Sequence, residues 1–238
     1  MDRKYTYEDF LEIIKTLRSE NGCPWDREQT HESLRPCMME EAAEVIAAIR
    51  IYNQTGNAEN LREELGDVLL QVVMHARIAE EEGLFTMEDV VNEVAEKMVR
   101  RHPHVFGTVQ ADDSQQVLKN WEEIKKKEKE GKSWIESPLR EIPKELPALT
   151  RAPKVLKKAD KFYDRKVDYA QAVETLRRGA EHLTEFSEEE RQASLEKEMG
   201  DILIALSDIA RLYKLPLEQI LTDKIDDLIE DYERTSSK

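Results

Sequence analysis

An all-α fold in two bundle-like units is predicted by three properties of this sequence. Apolar residues recur at helical spacing throughout, and no segment alternates as a strand would. Charged residues make up 37% and aromatics 6% of the 238 positions, the profile of a helical, highly charged protein. Finally, ELGDVLLQVVMHAR (64–77) lines up without gaps on EMGDILIALSDIAR (198–211), and MEDVV (87–91) on LEQIL (217–221). Such agreement across two segments points to tandem duplication of one helical unit.

The elements follow in order. Residues 7–20 read as an amphipathic helix closed by Asn21-Gly22, and CPWDREQTHESL (23–34) as a loop. A helix over about 35–53 stops at Thr55-Gly56-Asn57, and another runs over about 59–82 to Gly83. On a helical wheel Ala42, Val45, Ile46 and Ile49 form the apolar stripe of the first. Leu65, Val68, Leu69, Val72 and Ala76 form that of the second. A further helix covers about 86–101 and ends at His102-Pro103-His104. Residues 116–130 make a charged helix whose Lys/Glu run reads as a solvated face. Gly131, Pro138, Pro143 and Pro147 then mark a linker, and the chain is helical again to its end. The expected division is an N-terminal domain over 1–115, a charged helix and linker over 116–147, and a C-terminal domain over 148–238.

The net charge of −15 and pI near 4.9 argue against a nucleic-acid or anionic-membrane surface. A polyanionic substrate would have to be met by local cations or a metal. Two cysteines, Cys23 and Cys37, are too few for a stapled secreted scaffold and read as reduced. The N-terminal MDRKYTYEDF has no apolar signal core and no run reaches membrane-spanning length, so the cytoplasm is the expected compartment.

Chemistry concentrates in two acidic pairs. Glu41 and Glu44, and again Glu64 and Asp67, are three residues apart, which puts both members of each pair on one helix face. Carboxylates so placed are either splayed into water or held together by a cation. Beside Glu64 and Asp67 on the wheel lie Gln71, Met74, His75 and Ile78, and Met74 and Ile78 do not belong on a solvated face. A helix covered on nearly all sides needs partners for its acids, and hard divalent ions such as Mg²⁺ supply them. Lys97, Arg100 and Arg101 likewise share one helix face. They read either as cations matching the helix dipole or as a polyphosphate clamp, with bidentate arginines and a point-charge lysine. Opposite these, in register, the second unit carries Asp227, Glu230 and Asp231. Of the acid pairs it keeps only Glu198 and Asp201, while Arg178 and Glu181 stand for Glu41 and Glu44. An acidic cluster facing acids is a poor polyphosphate site, so the first unit is the expected active one.

The blocks GCPWDREQTHESL (22–34), EEAAE (40–44), EELGDVLLQVVMHA (63–76), KMVRRHPHVFG (97–107), NWEEIKKKE (120–128) and LPALTRA (146–152) resemble the MazG family of nucleoside triphosphate pyrophosphohydrolases, in its tandem form. They cover most of the first 152 residues in family order. The resemblance implies an all-α, four-helix-bundle-like unit in two copies, assembled as a homodimer. It implies that Glu41, Glu44, Glu64 and Asp67 hold Mg²⁺, with Mn²⁺ as an alternative, and carry the catalysis. Lys97, Arg100 and Arg101 would bind phosphates, with Trp25, Trp121 and Lys125 near the nucleotide. For Trp25 the alternatives are base stacking and a buried anchor of its loop. The implied reaction is attack of water on the α-phosphorus of a nucleoside triphosphate, releasing a monophosphate and pyrophosphate.

Two departures stand out. Ala95 occupies a position where the family often has Asp or Asn, leaving Asn92 or Glu96 as substitutes. In the second copy the usual F-D-W is replaced within KFYDRKVDY (161–169). Family members exist in which the second copy carries the activity, and this chain would reverse that arrangement. Two rival readings are a non-catalytic, nucleotide-binding or regulatory helical protein and a di-iron carboxylate bundle. The latter wants E-x-x-H pairs on helices, and the only such spacing, Glu28–His31, falls in the expected loop.

Overall fold

The computed structural model describes residues 4–108, 113–128, 137–183 and 191–236. Within them are eleven helices and no strand, so the all-α expectation holds. Gly131, expected in the linker, lies outside the described residues. The chain divides into two compact units, Met1–Lys129 and Glu130–Lys238.

The first unit opens with α1 (Tyr7–Leu17), started by a capping box between Thr6 and Asp9. Pro24 then starts a short helix, α2 (Pro24–Glu28), inside the segment expected to be loop. A proline at the first helical position loses no internal hydrogen bond, which is why one turn forms there. α3 (Arg35–Thr55) ends on Gly56, whose φ of 73° is the left-handed conformation that glycine adopts without strain. α4 (Glu59–Glu81), α5 (Met87–Arg101), the single turn α6 (Pro103–Phe106) and α7 (Ser114–Lys127) complete the unit. α4 is its hub, packing against α1, α3 and α5, while α5 also touches α6 and α7. The core is Ile14, Leu34, Val73, Met74 and Ile78, with Phe10, Leu11, Leu17, Leu70 and Met87 around it.

That core corrects the wheel reading of α3 and α4. Ile46 and Leu65, assigned to apolar stripes, are 56% and 53% exposed, and Ile49 and Leu69 are exposed too. Ala48, Gln71, Met74 and Ile78 are buried instead. The buried positions on α4 continue the 3-4-3-4 spacing of Glu64, Asp67, Gln71, Met74 and Ile78, the seam by which helices interlock. A wheel ranks faces by hydrophobicity alone, whereas here the inward seam starts with carboxylates and part of the more apolar stripe is left outside. Of that stripe Ala76 is buried, and Val45, Val68 and Val72 are half-buried. Met74 and Ile78 are buried as expected.

The second unit holds α8 (Ala148–Phe162), α9 (Tyr169–His182), α10 (Arg191–Tyr213) and α11 (Leu217–Ser236). α10 packs on α8 and α9, and α11 on α8. Its interior contains Leu156, Ala172, Ala205, Ala210, Ser207 and the charged Asp208. Arg165 and Arg211 neutralise Asp208, and both also bind Asp160.

Candidate metal and phosphate site

Carboxylate oxygens of Glu41 on α3 and of Glu64 and Asp67 on α4 all lie within 4.8 Å of one another. All three residues are half-buried. Glu44 is adjacent but more exposed, sharing a side-chain hydrogen bond with Glu41. Its carboxyl is raised above the usual range by desolvation, then by the charges of Glu64, Glu41 and Glu40. Asn60 donates to Glu64 Oε1 at 2.7 Å, and no described Lys or Arg makes an ion pair with any of the four acids. One turn along α4 from Asp67, the buried Gln71 Oε1 has no hydrogen-bond partner among the described residues. The donor set is hard oxygen from two packed helices, which suits a divalent cation. Oxygens around an octahedral Mg²⁺ are about 3–4 Å apart, so small rotamer changes would close the group.

The cations stand on the last turns of α5. Lys97 is half-buried and forms no ion pair among the described residues. Arg100 and Arg101 are not free: both bind Glu128, just beyond the end of α7. Arg101 also lies over the Trp121 ring, 5.9 Å from its centroid. Lys125 is exposed on α7. Asn92 donates to Glu96 at 3.1 Å, so these two residues beside Ala95 engage each other.

Trp25 is 60% exposed on α2, which sets aside the buried-anchor alternative. Its segment is pinned by other side chains. Arg18, itself buried, donates to the carbonyls of Asp26 and Gln29 and to Glu81 at the end of α4. Although burial raises Glu81, hydrogen bonds from Arg18 and Arg77 outweigh it and hold that carboxyl below its ordinary value. His31 stacks on His75 of α4 with their Nδ1 atoms 2.8 Å apart.

In the second unit the remaining acids are met by basic side chains. Glu198 lies 3.5 Å from His182 Nδ1 and 3.4 Å from Lys197 Nζ, and Asp201 3.9 Å from Lys197. Burial pushes Glu198 up, but the His182 hydrogen bond and the Lys197 charge leave it below its ordinary value. Glu44 is thus raised among acids where Glu198 is lowered among bases.

Sequence reasoning passed over Arg18, the His31–His75 contact and Glu128. For Glu128 a signal exists, an acid directly after three consecutive lysines, but it falls within the Lys/Glu run that reads as a solvated face. Nothing in the spacing joins His31 to His75, which are 44 residues apart.

Residues 29–106 match the MazG nucleotide pyrophosphohydrolase domain. Over 215 residues the chain is 40% identical to the nucleoside triphosphate pyrophosphohydrolase/pyrophosphatase MazG of Thermotoga maritima, spanning 90% of this chain and 79% of that one. This chain belongs to the MazG family. It is also 41% identical over 207 residues to the Escherichia coli K12 nucleoside triphosphate pyrophosphohydrolase, covering 84% of the chain and 76% of that MazG relative. A Bacillus subtilis relative, the uncharacterized protein YabN, is 46% identical over 219 residues, 92% of this chain. There the chain spans only 44% of the relative's length. Within the MazG match fall Glu41, Glu44, Glu64, Asp67, Lys97, Arg100 and Arg101, while Trp25, Trp121 and Lys125 lie outside it.

Proposed function

We propose that this chain is a Mg²⁺-dependent nucleoside triphosphate pyrophosphohydrolase that cleaves the α–β phosphoanhydride, yielding a nucleoside monophosphate and pyrophosphate. The relatives from Thermotoga maritima and Escherichia coli carry that class of activity in their names. The observation that carries the reading is the group formed by Glu41, Glu64 and Asp67, with no basic side chain among the described residues to neutralise it. Mg²⁺, or Mn²⁺, would be held by these three with Glu44 beside them, and when bound supplies charge neutralisation at phosphate oxygens.

The chain's own residues account for the rest. Glu44 lies outside the three-oxygen group and would accept the proton of the attacking water. Lys97 and the α5 arginines would hold the pyrophosphate as its charge develops. Trp25 presents an exposed ring on a pinned segment, suited to stacking a base. Trp121 and Lys125 would flank the nucleotide from α7. The nucleotide-pool role implied by the family follows if the base is read loosely.

The first unit would be the active copy, and the second, with Glu198 beside His182 and Lys197 and Asp201 beside Lys197, a degenerate structural copy. A homodimer would cover the exposed stripe of Met39, Ile46, Ile49, Leu65 and Leu69. No described helix is long and apolar enough to cross a membrane, and the proposed compartment is the cytoplasm.

The test is pyrophosphate release from a panel of canonical, deoxy and damaged triphosphates with Mg²⁺. Glu41→Gln and Asp67→Asn should each lower turnover at least about a hundredfold, while Asp201→Asn should leave it near wild type. Full activity in Glu41→Gln would overturn the assignment of the site to the first unit. Nucleotide binding without turnover would favour the regulatory reading.

A further inference from the structure

Glu128 divides its two oxygens between two guanidinium groups. Oε1 takes Arg100, at 2.8 Å from Nε and 2.8 Å from Nη2, and Oε2 takes Arg101, at 3.0 Å from Nε and closer still from Nη2. Each arginine therefore spends its Nε–Nη2 edge on a carboxylate. That edge is one of the two with which a guanidinium makes bidentate bonds to phosphate oxygens. The two side chains differ in access: Arg100 is 52% exposed, whereas Arg101 and Glu128 are 14% and 15% exposed. The arginine hydrogen bonds, Arg101's first, hold the Glu128 carboxyl down at about 2, so it stays ionised at any working pH.

We propose that Glu128 is an internal stand-in for phosphate, occupying the Arg100–Arg101 cradle until a polyphosphate displaces it. The proposal rests on the reading that α5 meets the phosphates of a triphosphate. Its physical basis is competition between anions for the same donors. A carboxylate brings one charge and two oxygens, whereas a polyphosphate brings several charges and three oxygens on each terminal group. The exchange thus favours polyphosphates and rejects singly charged anions, which would have to replace an ionic bond already made. Arg101 keeps a second hold when Glu128 leaves, because the Trp121 face still covers it. Returning to the cradle after cleavage, Glu128 would compete with the pyrophosphate left there.

Titration calorimetry with inorganic pyrophosphate, without metal, on the full chain tests this. Glu128→Gln should bind pyrophosphate about tenfold more tightly than wild type, and should also gain measurable affinity for sulfate. Glu128→Asp keeps the charge but shortens the reach, so it should tighten binding too; it serves where Glu128→Gln does not fold. Equal or weaker binding in the folded variants would overturn the proposal and make Glu128 a brace for the arginines. Failure of pyrophosphate to bind any of the three proteins would overturn it as well. Turnover separates this idea from the reading beneath it. Hydrolysis with unchanged pyrophosphate affinity in the variants sinks the exchange alone. Tighter pyrophosphate binding in a protein that hydrolyses no triphosphate sinks the proposed activity and leaves the exchange standing.

Discussion

Three carboxylates share a few ångströms with no described Lys or Arg paired to them, and that repulsion has a thermodynamic signature. Asp67→Asn removes one charge from the group formed with Glu41 and Glu64. Relief of like-charge contact should raise the melting temperature without metal by about 1 °C, and should abolish the rise that Mg²⁺ gives wild type. A calorimetric scan with and without Mg²⁺ checks both, and an unchanged Mg²⁺ response would remove Asp67 from the ligand set. The second residue-scale feature is the histidine pair. Burial, then the neighbouring His31, hold His75 below its ordinary value of 6.5. A depressed folded value means the contribution is complete above the unfolded value and is lost as pH falls through the lowered one. Melting temperature should therefore drop more steeply between pH 7 and pH 5 in wild type than in His75→Phe. Parallel profiles would show that the pair does not couple to folding. Of these residues the acids were legible as two i, i+3 pairs, because spacing along one helix is a sequence property. The histidine contact was not, since it depends on where a loop lands.

Among the helices, the two hubs show how one pattern supports different interiors. α4 and α10 are each 23 residues long, and in the gapless alignment Met74 corresponds to Asp208 and Arg77 to Arg211. Where α4 buries a methionine, α10 buries a charge compensated by Arg165 and Arg211. Asp208→Ala should cost about 1–3 kcal/mol, because it removes one of the two carboxylates that hold Arg165 and Arg211 and leaves both to Asp160. Denaturant unfolding measures this, and a loss below about 1 kcal/mol would show the network to be dispensable. α9 and α10 also approach closely at Gly179, where a Cβ would come within 2.8 Å of Ile202 Cγ1. Gly179→Ala gains about 1 kcal/mol of helix propensity but must displace that side chain, so a net loss of about 1 kcal/mol is expected. In the first unit the longer helices and most of their boundaries were readable from periodicity and from stops such as Gly56, whereas α2, α6 and the boundaries of the second unit were not. The inward faces of α3 and α4 were not, because the seam begins with acids.

At the scale of the molecule, a single chain leaves an apolar stripe of its first unit exposed. Ile46 and Ile49 on α3 and Leu65 and Leu69 on α4 belong to it, and Val91, Val94 and Met98 on α5 are also exposed. Sedimentation equilibrium should report a dimer, and Leu69→Lys should shift it toward monomer, since a lysine cannot be buried there without a partner. A monomeric wild type at micromolar concentration would rule out the homodimer. Of the two compact units, the first extends through α7 to Lys129.

The sequence alone determined that the chain is helical, that its acids come in pairs on single helix faces, and that it resembles the MazG family. All of these are local in the chain or repeat within it. Tertiary structure decided which acids converge, that α4 turns its carboxylate seam inward, and that Glu128 closes on Arg100 and Arg101. Those outcomes depend on which surfaces compete for burial and which charges meet across helices, and neither is written in the spacing of any one helix.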